Sequence, residues 1–150
     1  MRIYLVVIDN SEEARVAMRF AARRAVDTGG SVHLLSIVPR QAFSAFGSVQ
    51  ATIEEEAHDL AEVLANSAAG ELMTTSGLAP QICVKVGDGK DVVKAYLEEH
   101  PEVAALVLAT AANGSPGPLV SHFSSIVGTL PCPLFIVPGG LSDEELDRVS

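Results

Sequence analysis

Two stretches far apart in this sequence carry the residue types that could meet a small anionic ligand. Asp9 follows the apolar run Ile3 to Ile8 at once. Its carboxylate can face a ligand, or it can help to cap the helix that follows. The second stretch, Ala109-Thr110-Ala111-Ala112-Asn113-Gly114-Ser115-Pro116-Gly117-Pro118, leads from another apolar run into a short helical pattern whose first turn offers free backbone donors. It contains no Lys or Arg, so an anion there would depend on amide N–H groups, the hydroxyls of Thr110, Ser115 and Ser121, the Asn113 amide and His122. Such a site holds a highly charged ligand only modestly. Gly114 and Gly117 can let the backbone close on a phosphate, and they can equally make the turns that Asn-Gly, Ser-Pro and Gly-Pro favour. Ser121 can donate to a ligand or satisfy its own helix.

The other reactive side chains read as structural. His33, His58, His100 and His122 fall on different elements without ligand-type spacing, so no metal site is expected and the histidines are read as solvated or helix-end residues. Ser121 beside His122 is no hydrolase pair, because adjacent helical residues point apart and no nucleophile elbow precedes them. Cys83 and Cys132 each sit in an apolar run, where a thiol is buried and inert. No catalytic residue is assigned.

The elements that must position these residues are legible as short runs of apolar, often β-branched residues: Ile3 to Ile8, Ser31 to Val38, Gln81 to Val86, Val103 to Leu108 and Pro133 to Val137. Continuous apolar character, rather than alternation, is what strands covered on both faces require. Between them lie helical patterns. The first opens on Asn10 as cap with Glu13 three positions on, and Gly29-Gly30 ends it. The second turns Ile53, Ala57, Leu60, Ala61, Leu64, Ala68 and Leu72 toward the sheet and leaves Glu54, Glu56, Asp59 and Glu62 outside. The third follows Gly87-Asp88 with Val93, Tyr96 and Leu97 on one side, and the fourth uses Leu119, Phe123, Ile126 and Val127. Strand and helix in strict alternation imply a doubly wound, open parallel sheet. Ligands of such sheets bind beyond the carboxyl ends of the strands where the strand order reverses, so Asp9 and the 109–118 stretch share one crevice if strands one and four are neighbours.

Composition narrows the partners. With 150 residues, 48% of them apolar and 19% charged, the chain fits one globular domain. A net charge of −9 repels nucleic acid and anionic membranes. The opening apolar run is too short to span a membrane and has no signal-peptide cleavage region, which leaves the cytoplasm as the expected location. Gln41 to Val49 reads as a mobile loop. Residues 139–150 form an acidic tail to a domain of residues 1–138, either covering an edge or disordered, in which Ser142 and Glu145 can cap one weak turn. The last strand presents an apolar edge that a second copy could cover.

Taken in order and spacing, Val7-Ile8-Asp9-Asn10-Ser11, Leu34-Leu35-Ser36-Ile37-Val38, Val86-Gly87-Asp88 and Pro131-Cys132-Pro133 resemble the universal stress protein family over nearly the whole chain. The resemblance implies a Rossmann-like three-layer sandwich with strand order 3-2-1-4-5, a homodimer formed through the last strand, and, in one branch, binding of AMP or ATP with magnesium. It also implies that Asp9 approaches the ribose or a metal-bound phosphate, that Ile37 offers backbone groups to the adenine, and that Ser121 donates to a phosphate. The phosphate loop departs from that branch, whose pattern is Gly-x-x-Gly, nine residues, then Gly-Ser or Gly-Thr. Gly114-Ser115-Pro116-Gly117 supplies the first half, but Ser121 follows much too soon and Val120 stands at the last glycine. Anchored on the final strand instead, Ala109 and Ala112 replace the first two glycines. Weak or altered adenine-nucleotide binding is therefore expected, with at most slow ATP hydrolysis, the alternative being a dimeric interaction module that binds no nucleotide. A phospho-receiver domain is excluded, since Asp9 has no acidic neighbours and no lysine follows Lys94.

Overall fold

The fold was obtained as a computed structural model, which describes residues 1–9, 11–39 and 47–150, the side chains of 47–52 excepted. Five strands, β1 (Ile3–Ile8), β2 (Ser31–Val38), β3 (Gln81–Val86), β4 (Val103–Ala109) and β5 (Leu134–Val137), form one parallel sheet in the order β3-β2-β1-β4-β5. Leu5 and Val6 of β1, Leu34 and Leu35 of β2, and Leu106 and Val107 of β4 have no exposed surface. Successive residues point to opposite faces, so both faces must be covered. On one side Val6, Leu34 and Val107 pack with Ala17, Ala21 and Ala25 of α1 (Glu12–Thr28) and Leu72 of α2 (Gly47–Ser76). On the other, Leu5, Leu35 and Leu106 meet Val93, Tyr96 and Leu97 of α3 (Gly89–Glu99) and Phe123 of α4 (Gly117–Ser125). This is the doubly wound three-layer arrangement expected from the sequence. No helix among the described residues is long and apolar enough to cross a membrane.

Several local readings need correction. The N-cap of α1 is Ser11, whose hydroxyl accepts from Ala14 N at 3.2 Å, whereas Asn10 lies outside the described residues. Gly29, at φ 67°, ends the helix in the left-handed conformation that glycine adopts freely. On α2, Ala61, Ala65 and Leu72 face the sheet but Ile53 and Leu60 are 42% and 56% exposed. For Ile53 the cause is length, since a 30-residue helix runs about 45 Å and the eight residues of β2 about 27 Å; Leu60 instead stands one helical step of about 100° from the buried Ala61, whose carbonyl accepts from the Ser36 hydroxyl of β2. The helix outruns its support. The loop expected over Gln41 to Val49 lies outside the described residues as far as 46, and from Gly47 the backbone is helical. In the fourth pattern Val120 and Phe123 are buried, but Val127 is exposed because α4 stops at Ser125 and a 3-10 turn over Val127–Thr129 breaks the period. Residues 139–150 include a helix, α5 (Asp143–Val149), opened by a capping box of Ser142 and Glu145 and packed on α1 through the fully buried Leu146.

Candidate functional site

Local rules build the crevice from below. β1 ends at Ile8, and Asp9 follows it, its Oδ1 accepting from Ser11 N at 2.8 Å. Beside it β2 brings Ile37, and register pairs Ile37 with Lys85 of β3. Gly87, at φ 152°, turns the chain out of β3, and Asp88 caps α3 by accepting from Lys90 N at 3.2 Å. A cleft of about 1150 Å³ opens at this end of the sheet, somewhat above the usual ligand-pocket range. Its lining runs from Asp9 past Ile37, Lys85 and Lys90 to Pro118 and Leu119 at the start of α4. Along its lining a Cβ placed on Gly89 would lie 3.4 Å from Leu119 and 3.9 Å from Ile37, ordinary contact distances, so Ile37, Gly89 and Leu119 form one closely packed apolar patch.

The turn after β1 and the loop after β4 do meet. They share a smaller cavity of about 120 Å³, bordered by Asp9 and Ser11 on one side and Ala109, Pro116 and Gly117 on the other. Of the residues singled out in the sequence, Asp9 and Ile37 face the cleft, and Ala109 and Gly117 face the smaller cavity. Thr110, Asn113 and Gly114 are taken up in the loop itself. Thr110 N donates to Val137 O, Gly139 N donates to the Thr110 hydroxyl at 3.0 Å, and Ser115 N donates to Asn113 Oδ1 at 2.9 Å. Gly114 and Gly117 hold φ of 89° and 74° with open space where a Cβ would stand, so backbone torsion is what asks for glycine there. Ser121 and His122 line neither cavity. Ser121 is exposed on α4, and the His122 ring lies edge-on to Phe123 with centroids 5.0 Å apart.

What residue type alone did not single out is the β3–α3 wall, with Lys85, Asp88, Gly89 and Lys90. The signal was partly present, since Val86-Gly87-Asp88 marks the turn, but the place of Lys85 beside Ile37 needs the β2–β3 register.

A second group departs from expectation. His33 is buried, not solvated, with Nδ1 2.7 Å from the Tyr96 hydroxyl, and Tyr96 in turn stacks on His100 at 3.9 Å. Burial, and then the neighbouring His100, lower the His33 pKa from its ordinary 6.5, while Glu102 pulls the other way. Burial also pushes the Tyr96 phenol up to about 12. Cys132 is buried, with its thiol pKa raised for the same reason, and Cys83 is half-buried. A depressed histidine favours the neutral fold. Stability is full above pH 6.5 and falls as pH drops toward the folded-state value, because the unfolded chain takes up the proton first. Denaturation midpoints measured from pH 8 to pH 5 should therefore fall more steeply for the parent than for His33→Gln; a parent-minus-variant difference that does not change with pH would remove this assignment. On exposed α2, ligand atoms of His58, Asp59 and Glu62 lie within 4.8 Å of one another, which the sequence reading had not anticipated. The His58–Glu62 contact of 3.4 Å is the ordinary (i, i+4) neighbourhood of a helix.

An open parallel sheet with β1 at its centre and a crevice where the order reverses is a nucleotide-type α/β domain in architecture. The chain belongs to the universal stress protein family, whose family model matches residues 1–138. No curated protein matches it. Among solved structures it is similar to the universal stress protein UspA from Lactobacillus plantarum, at 24% identity over 91% of this chain and 97% of that one, with a TM-score of 0.75. A universal stress protein from Archaeoglobus fulgidus in complex with dAMP is similar at 18% identity, 91% and 97% coverage and a TM-score of 0.62. One solved in complex with cAMP matches at 14% identity, 91% and 96% coverage and a TM-score of 0.64.

Proposed function

We propose that the protein is a cytoplasmic stress-response protein that takes an adenine nucleotide weakly in the cleft, a monophosphate in preference to a triphosphate. The observation that carries this is the apolar patch of Ile37, Gly89 and Leu119 in a cleft whose lining also holds Asp9, a surface on which a flat ring can lie with its ribose toward a carboxylate. Related folds solved with cAMP and dAMP support the ligand class. The β4–α4 loop does not fit a polyphosphate: it has no cation and most of its donors bond within the fold. Asp9 is the residue that would face a metal carried in with a phosphate. A dimer through β5 belongs to the same reading, because its outer edge has no strand partner among the described residues and Ile136 is 43% exposed.

Thermal shift with AMP, cAMP, ADP and ATP, each with and without magnesium, tests the ligand. A ligand at a hundredfold excess over its dissociation constant adds about 2.7 kcal/mol, several degrees of Tm in a domain of this size. AMP should stabilise more than ATP does. Tight magnesium-dependent ATP binding would refute the preference, and no shift with any nucleotide would favour the interaction-module reading, with light scattering on the same sample deciding the dimer.

A further inference from the structure

The loop after β4 has closed on itself, while the cations of the cleft stand at the opposite wall. Ala111 N, Gly114 N and Ser115 N donate to Ser115 O, Ala111 O and Asn113 Oδ1, each at 2.9 Å. The Thr110 hydroxyl donates to Ala111 O at 3.2 Å and accepts from Gly139 N. What remains there to receive an anion is chiefly the uncapped first turn of α4, with no cation beside it. Across the cleft, Cys83 belongs to the core on the α3 side, and Lys85 two residues on points to the same face. Lys90 joins it from the first turn of α3, and both side chains are exposed and line the cleft. Among the described residues neither ammonium is in an ion pair. Of the carboxylates on the same lining, Asp9 accepts from Ser11 N and Asp88 from Lys90 N.

We propose that Lys85 and Lys90 hold the anionic group of the ligand, a single phosphate ester, while its ring system lies on the apolar patch of Ile37, Gly89 and Leu119. This rests on the nucleotide reading above and assigns its specificity to the β3–α3 wall instead of the glycine loop. The two lysines are outnumbered by Asp9, Asp88, Asp91 and Glu99 along the same lining, and the whole chain carries −9. Each further phosphate therefore meets repulsion that the lysines do not offset, which selects for one phosphate over three.

Titration calorimetry with adenosine and AMP on the parent, Lys85→Gln, Lys90→Gln, the double variant and Ser121→Ala tests this. The double variant should lose roughly tenfold or more of AMP affinity, with adenosine unaffected and Ser121→Ala like the parent. AMP affinity of the parent should also fall with added salt until it approaches that of adenosine. Exposed lysines can be replaced without disturbing the core, and an unchanged Tm confirms it. The assignment is overturned if the double variant binds AMP as the parent does, if it loses adenosine equally, or if Ser121→Ala causes the loss. Adenosine binding that persists in those cases leaves the nucleotide reading intact, whereas failure of both ligands to bind the parent removes the two together.

Discussion

Gly139→Ala should lower the free energy of unfolding by about 3 kcal/mol, the upper part of the usual range for overpacking. A Cβ at this position would stand 1.7 Å from Thr110 O and 2.8 Å from its carbonyl carbon, both backbone atoms that cannot rotate away. Relief requires the end of β5 to part from the loop after β4. That movement breaks the hydrogen bond from Gly139 N to the Thr110 hydroxyl and strains the one from Thr110 N to Val137 O, both 3.0 Å in the native fold. Gly140→Ala is the control, since its Cβ would meet only Ala112 O at 3.2 Å, a gap that a shift of a few tenths of an ångström relieves. Urea denaturation should show a lowered midpoint for the first variant and a small change for the second. Equal effects would mean that Gly139 does not pin the loop. The same contact fixes the start of the loop after β4 against the end of β5.

How much of this was readable from the residues follows from the range of the interactions. The strands were legible because each is a contiguous apolar run, and the capping box at Ser142 because both its partners lie within four residues. Asn10 and Ser11 are both good caps, and sequence alone does not separate them. The choice falls to Ser11 in a backbone turn that Asp9 stabilises from two residues away, with Ser11 extended at φ −82° and ψ 154°. Periodicity also misleads where the partner surface stops. Ile53 keeps the period of Ala61 and Leu72 but lies about two turns before the contact of Ala61 with β2, and Leu60 sits at the edge of the stripe and turns outward.

The site divides the same way. Asp9 follows the last residue of β1 and Ile37 is next to the last of β2, and strand ends form the crevice of any such sheet, so their places were legible. Ser121 is adjacent to the buried Val120, and one helical step of about 100° turns it away. The lysine wall and the His33–Tyr96 bond, the latter joining residues 63 apart, depend on tertiary register that no local pattern states. Departure from the family's glycine pattern is likewise legible, because it is a matter of residue type and spacing within one loop.

Leu146→Ala should cost about 3 kcal/mol and free the C-terminal helix, which decides whether apolar burial or charge holds the tail. Leu146 has no exposed surface and belongs to the core shared with Val6, Phe20 and Val137, so truncation leaves a cavity under α5. A seven-residue helix is far too short to persist unsupported, and loss of its anchor should unfold it. The competing explanation is electrostatic, because Arg19 pairs with Asp147 at 2.9 Å and with Asp143 at 3.6 Å. Those side chains are about a third or more exposed, which limits what the pairs contribute. Arg19 Nε and Asp147 Oδ1 are also buried without hydrogen-bond partners among the described residues, so part of the attraction is offset by desolvation. Asp147→Asn should therefore shift the denaturation midpoint much less than Leu146→Ala, and added salt should not release the tail. Limited proteolysis gives the direct readout: cleavage within residues 139–150 should accelerate strongly in Leu146→Ala and only slightly in Asp147→Asn, and the reverse order would show that the helix is held by its charges.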